Sequence, residues 1–281
     1  MTTHTKQPTE KYDSNPFTLS FKGFSQFVDY AQGVFIATII LSILGFIFNM
    51  AGNLISAVVD SNSSSYDYDT TTSASSLSND ETTLSIVLVI IAIVLIATIV
   101  FLALSIVINA VYKGFVAAGT VAAAEKRKIS VGQAFSEMGS RFGVLVFAMV
   151  ITWAKIVGGY LLFIVPGIRA QLRYQPLVYV IMSDKKLSAT QAVDKTKSLY
   201  DKHLMEILGI STVGSLIPLI GPSLTASGLS LSVKQITEHK AAGKQMPKAH
   251  ILNYIGLILA GALVIFVIFI AGLIAILAAN S

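Results

Sequence analysis

Four ionisable side chains lie inside otherwise apolar stretches of this 281-residue chain: Lys155, Arg169, Arg173 and Glu206. An ionised group in hydrocarbon is costly unless it snorkels or finds a partner, so these four are the first candidates for chemistry. Arg169 and Arg173 are four positions apart and share a helix face, where two guanidinium forks suit an anion or a lipid phosphate. The alternative is that both snorkel to the outer interface beside Tyr174. Glu206 is the lone carboxylate of the apolar blocks, so paired-carboxylate hydrolysis lacks its second member. An opposite charge at similar depth would offset its burial. A chain reversal at Pro166-Gly167 puts Lys155 about 17 Å below the turn, and one near Ile220-Gly221 puts Glu206 about 21 Å below it. The expectation is a Lys155–Glu206 ion pair between two neighbouring hairpins.

Other chemistries find no support in the residues. His4, His203, His239 and His250 show no metal-ligand spacing, and there is no phosphate-binding glycine loop, nucleophile elbow or dinucleotide fingerprint. Asp67-Tyr68-Asp69 could hold calcium weakly, against the plainer reading of a solvated loop. Asn62-Ser63-Ser64 fits a glycosylation acceptor only in a eukaryotic secretory route. Absence of cysteine excludes disulfides and thiolate metal sites. No cofactor, metal or enzymatic activity is expected. The net charge of +5 resides in short loops flanking apolar blocks rather than on a continuous basic face, which argues against nucleic acid as a partner.

These groups are carried by membrane segments. With 54% hydrophobic and 12% charged residues, and about 20 apolar residues needed to cross a bilayer, residues 34–59, 84–112, 142–182, 204–233 and 251–278 qualify as membrane blocks. The fold expected is all-α, a polytopic transmembrane helical bundle: a polar cytoplasmic segment over 1–33, then a single membrane domain over 34–281. Residues 60–83 hold five Asp or Glu, no Lys or Arg, and 13 Ser or Thr, so they read as a flexible extracytoplasmic loop. Segments 113–141, 183–203 and 234–250 are rich in Lys and Arg and read as cytoplasmic, as does the N-terminus. A block with both ends on one side crosses an even number of times, so 142–182 and 204–233 are expected to be hairpins. Their turns belong at the breakers Pro166 and Gly167, and Pro218, Gly221 and Pro222. The alternative is one kinked helix per block, with a basic loop outside.

An internal repeat supports the paired arrangement. Lys128-Ile129-Ser130-Val131-Gly132-Gln133-Ala134-Phe135 is echoed by Lys186-Leu187-Ser188-Ala189-Thr190-Gln191-Ala192-Val193, and each copy precedes a broken block. Ser130 with Gln133, and Ser188 with Gln191, fit the capping box that opens a helix. After Ser188, residues Ala189, Ala192, Val193, Thr196, Leu199 and Tyr200 recur at helical spacing among lysines, which predicts a short amphipathic cytoplasmic helix.

The run from Gly158-Gly159 through Pro166-Gly167-Ile168, with Arg173-Tyr174, Pro176, Tyr179, Leu187-Ser188, Ala192 and Lys197-Ser198, resembles a module of bacterial integral-membrane families of unknown function. The same module occurs in the membrane domain fused to some glycerophosphodiester phosphodiesterases. The likeness covers residues 113–233. It implies an all-helical protein of the bacterial cytoplasmic membrane and brings no catalytic residues, because the phosphodiesterase activity belongs to a separate soluble barrel. Read together, the residues point to a non-catalytic multipass membrane protein, an envelope scaffold or lipid-associated accessory subunit. Its partners would be membrane lipids, anionic ones included, and a membrane protein or a second copy packing on its small-residue faces. A small transporter or channel with its site at the broken hairpins is the alternative.

Overall fold

In the computed structural model, which describes residues 12–63 and 81–279, every regular element is helical. In chain order the helices are α1 (Pro16–Tyr30), α2 (Gln32–Ser63), α3 (Glu81–Ala124), α4 (Val131–Leu162), α5 (Ile164–Tyr174), α6 (Leu177–Ser183), α7 (Ala189–Tyr200), α8 (Leu204–Ser215), α9 (Gly221–Ala241) and α10 (Ile255–Ala279). Among the described residues, four stretches are long and apolar enough to cross a membrane: Gln32–Val58, Val87–Ala124, Val131–Leu162 and Ile251–Gly272.

The chain divides into two compact units, one formed by Ile40–Asn109 and the other by the remainder. In Ile40–Asn109 the large side chains, from Ile40 and Phe48 through Ile96 and Phe101 to Ile108, are exposed. Apolar surface of that extent is what a bilayer covers. Most of the proposed acidic loop, with the Asp67 to Asp69 cluster, lies outside the described residues, as does His4.

The other unit has a packed core. Phe27, Val34, Phe115, Ala118, Ala122, Leu145, Ala148, Ile181 and Ala192 form one part, and Leu19, Val180, Tyr200, Ile207, Ile210, Leu229 and Ile236 another. Two elements differ from the sequence expectation. Residues 113–124, expected within a cytoplasmic loop, continue α3, whose 44 residues extend about 66 Å, twice a bilayer core. The run after Lys113 holds no proline, and its small residues Ala117, Ala118, Ala122 and Ala123 are buried. The helix ends only where Lys126 turns to φ 59°. There Lys126 N–H donates to the Ala123 carbonyl and Arg127 N–H to the Ala122 carbonyl, both at 2.8 Å, a Schellman stop.

The second difference is at the N-terminus, where residues 16–30 of the supposed polar segment fold into α1. Pro16 opens it, the Asn15 side chain accepts from the Phe17 N–H, and Leu19, Gly23 and Phe27 are buried. α1 lies on α9 at near backbone contact, since a Cβ on Gly23 would fall 2.6 Å from the Ser227 carbonyl oxygen.

Both capping boxes are present. Ser130 Oγ accepts from the Gln133 N–H and Ser188 Oγ from the Gln191 N–H, and each Gln side chain returns to the Ser backbone. α7 buries Ala189, Ala192, Val193, Thr196, Leu199 and Tyr200, the face marked by the helical spacing.

Of the two chain breaks, the first differs in place from that expected and the second falls at its expected breakers. The first lies at Phe163, in an extended conformation, rather than at Pro166-Gly167. Pro166 sits in the first turn of α5, where its missing N–H would have had no intrahelical partner. Gly167 is needed for packing: a Cβ there would lie 2.4 Å from the Tyr160 ring, and one on Gly159 would lie 3.0 Å from Gly167 Cα. The second break spans residues 216–220, containing Pro218 and Leu219 at φ 68°, with Gly221 and Pro222 opening α9.

Candidate functional site

The most elaborated polar cluster surrounds Glu206, which is 1% exposed. The carboxyl belongs to the first turn of α8, where unpaired backbone N–H groups favour negative charge. Two hydroxyls donate to it: Tyr12 Oη to Oε2, and Ser232 Oγ to Oε1 at 2.5 Å. Tyr200 Oη lies 3.3 Å from Ser232 Oγ. Because Ser232 spends its one proton on Glu206, Tyr200 is the donor in that contact. His203 Nδ1 stands 3.9 Å from Glu206 Oε2. Nearby, the Asp13 N–H donates to Gln235 Oε1 at 3.2 Å, and the Tyr12 ring packs on His239 with centroids 5.1 Å apart.

Four segments therefore converge on one carboxyl: the residues before α1, the end of α7, the start of α8 and the middle of α9. The local sequence makes this feasible by removing side-chain bulk. A Cβ on Gly228 would fall 2.8 Å from Ile210 Cγ2 and 3.2 Å from Ser20 Cα, and one on Gly221 would fall 2.0 Å from the Gly214 carbonyl oxygen. Burial, with the Glu206 charge beside it, pushes the Tyr12 phenol far above its ordinary range, so it donates at every physiological pH. Burial lowers the His203 imidazole, and the Lys240 and Lys202 charges add to that.

The Lys155–Glu206 pair is not formed. Lys155 is exposed on α4 with its Nζ 5.5 Å from the Tyr174 ring centroid, while Glu206 takes its hydrogen bonds from Tyr12 and Ser232. Equal depth does not bring two helices together, and the Glu206 side of α8 faces α1 and α9. Arg169 and Arg173 do come together, through Asp201: Arg173 Nη2 donates to Asp201 Oδ1, and Arg169 Nη2 is 3.6 Å from the same oxygen. The Arg173 side chain is mostly buried, whereas that of Arg169 stays 58% exposed.

A second charged cluster joins the two repeat copies. Arg127 grips Glu137 through both Nη atoms at 2.8 and 3.2 Å, and Lys185 reaches Glu137 at 3.0 Å. Arg141 Nη2 donates to the Leu187 carbonyl, and Lys195 pairs with Asp184 at 2.8 Å. Burial raises the Glu137 carboxyl, but the Arg127 and Lys185 hydrogen bonds and charges outweigh it and hold it below the usual range. The Lys195 hydrogen bond does the same for Asp184. Beside this cluster, a cleft of about 260 Å³ between α3, α7 and α9 is lined by Glu125, Asp184, Lys195, Ser230, Lys234 and Glu238. Its cations are engaged, Lys195 by Asp184 and Lys234 by the Ala124 carbonyl at 2.7 Å. Among the described residues, no group of three His, Asp or Glu side chains could hold a metal ion.

No family model, curated protein or solved structure matches the chain. The resemblance over 113–233 therefore rests on its motif residues alone. Tyr12 and Ser232 carried no sequence signal of their own, and Tyr200 was marked only as part of the buried face of α7. The one pointer to them was Glu206 itself, a buried acid that had to find donors.

Proposed function

We propose that this chain is a non-catalytic multipass protein of the bacterial cytoplasmic membrane, an envelope scaffold or lipid-associated accessory subunit. The observation that carries the reading is the state of Glu206. The lone carboxyl of the apolar blocks is closed off from solvent and bonded to hydroxyls of its own chain, an arrangement that fixes helices and keeps Glu206 itself from meeting a substrate as acid or base. Arg173, held by Asp201, likewise serves packing. In this reading α2, α3 and α10 cross the bilayer, the N-terminus and the basic segments 183–203 and 234–250 are cytoplasmic, and α4–α5 and α8–α9 are hairpins entering from that side. What the protein offers its surroundings is then apolar helix surface, exposed cations and small-residue faces, which suit lipids, a membrane-protein partner or a second copy.

The test is reconstitution into liposomes after single-cysteine labelling. A cysteine at Ser73 should react with an impermeant maleimide in intact cells and one at Lys195 only after permeabilisation. Proteoliposomes should carry no ion current above that of empty vesicles while the purified protein retains phospholipid. Equal labelling at both positions would overturn the orientation, and a reproducible current would overturn the accessory role in favour of a channel.

A further inference from the structure

The connection between α4 and α5 carries the most exposed run of large apolar residues in the two helices: Leu161 83%, Leu162 71%, Phe163 76%, Ile164 70% and Val165 75%. Five successive side chains pointing away from the protein on a two-helix tip require an apolar covering. The tip is narrow because Gly159 and Gly167 bring the two backbones nearly into contact. Behind it stand two exposed cations. Arg169 is six residues past Phe163 and Lys155 eight before it, placing them about 9 and 12 Å back along the helices. Trp153 and Tyr160, both partly exposed, lie on α4, Trp153 about 15 Å and Tyr160 about 5 Å back from Phe163.

These placements limit how deep the tip can go. Arg169 is 3.6 Å from Asp201, at the end of α7. The outer face of α7 carries exposed Asp194, Lys197 and Ser198, followed by exposed Lys202, and α7 packs along α4. Drawing that set into hydrocarbon would cost several kcal/mol for each charge. The polar helix therefore holds the early part of α4 outside the acyl layer, although α4 is long enough to span.

We infer that the α4–α5 tip is a shallow wedge in one leaflet, with Leu161 to Val165 among acyl chains and Lys155 and Arg169 on the phosphates of anionic phospholipid. The inference rests on the proposed membrane placement and adds the depth and the lipid class. Charge complementarity selects the anionic headgroup. A reach of about 10 Å beyond the cations matches the insertion of interfacial helices and stops short of the bilayer midplane, about 15 Å from either edge of the hydrocarbon. The Trp153 ring, just behind the level of the cations, fits the headgroup zone.

Trp153 is the chain's single tryptophan, which makes depth measurable in the full-length protein. Three forms go into nanodiscs of phosphatidylcholine and phosphatidylglycerol carrying lipids brominated at shallow or deep acyl positions: the wild type, Trp153→Phe/Phe163→Trp, and Trp153→Phe/Leu263→Trp with its reporter on α10. The Phe163 reporter should be quenched more by shallow than by deep bromines, the α10 reporter strongly by deep ones, and Trp153 weakly by either. Strongest quenching of the Phe163 reporter by deep bromines would overturn the wedge in favour of a span. No quenching there, with α10 quenched, would overturn lipid contact at the tip alone. An unquenched α10 reporter would overturn the membrane placement and the wedge together. Lys155→Gln and Arg169→Gln should each lower phosphatidylglycerol enrichment in retained lipid about fivefold, with Arg169→Lys keeping it. Unchanged enrichment in both Gln variants would overturn the headgroup assignment.

Discussion

The Tyr12 hydroxyl donates to the Glu206 carboxyl, tying the segment before α1 to the first turn of α8 across 194 positions of sequence. The bond closes a loop through most of the chain and places the N-terminal segment in the core. Removing the donor leaves a buried carboxyl with one hydroxyl fewer, a loss of about 1–3 kcal/mol. Tyr12→Phe should therefore lower the melting temperature in detergent. In combination with Glu206→Gln its effect should fall short of the sum of the single losses, because the two share one contact. Strict additivity in a thermal-shift cycle would show that the hydroxyl does not support the carboxyl.

Gly221 and Gly214 set the separation of α8 from α9. A methyl on Gly221 would stand 2.0 Å from the Gly214 carbonyl oxygen, a clash with backbone, whereas one on Gly132 meets nothing within 4 Å. Gly221→Ala should cost about 1–3 kcal/mol through displaced helices, and Gly132→Ala, in the first turn of α4, should be neutral or slightly stabilising. Equal denaturation midpoints for the two variants would contradict the close approach.

Lys126 adopts φ 59° at the stop of α3, a conformation that costs a residue with a Cβ about 1–2 kcal/mol and glycine little. Lys126→Gly should raise stability by up to about 1 kcal/mol, the loss of unfolded-chain restriction offsetting part of the gain. A lowered melting temperature would mean that the lysine side chain matters more than its backbone.

His203 should make stability depend on pH near neutrality. Burial, then Lys240 and Lys202, depress its folded pKa, so its contribution is fully present above the unfolded value of about 6.5 and is lost as pH falls from there. The wild type should lose stability between pH 7 and 5.5, and His203→Gln should flatten that slope. Glu137 and Asp184, also depressed, act in a lower window: their contribution holds above the unfolded carboxylate range, about pH 4, and fades below it. Lys195→Met should weaken the acid limb while leaving the neutral one unchanged.

Features fixed by neighbouring residues could be read from the sequence. Apolar runs long enough to cross a membrane, the capping boxes at Ser130 and Ser188, and the buried face of α7 follow from length, short-range hydrogen bonding and helical period, none of which needs a distant partner. The reach of α3 to Ala124 is also local, because the proline-free run of small residues after Lys113 sustains a helix whatever charge flanks it. Tertiary structure decided which surfaces meet. That Glu206 bonds Tyr12 and Ser232 instead of Lys155, that Asp201 gathers Arg169 and Arg173, and that the chain turns at Phe163 with Pro166 inside a helix are settled by packing between helices, some of them in close approach at Gly23, Gly167, Gly221 and Gly228. The sequence shows where bulk is missing and where charge needs a partner. Only packing in three dimensions selects the partner, because a single buried contact between segments far apart in sequence leaves no periodic trace in either one.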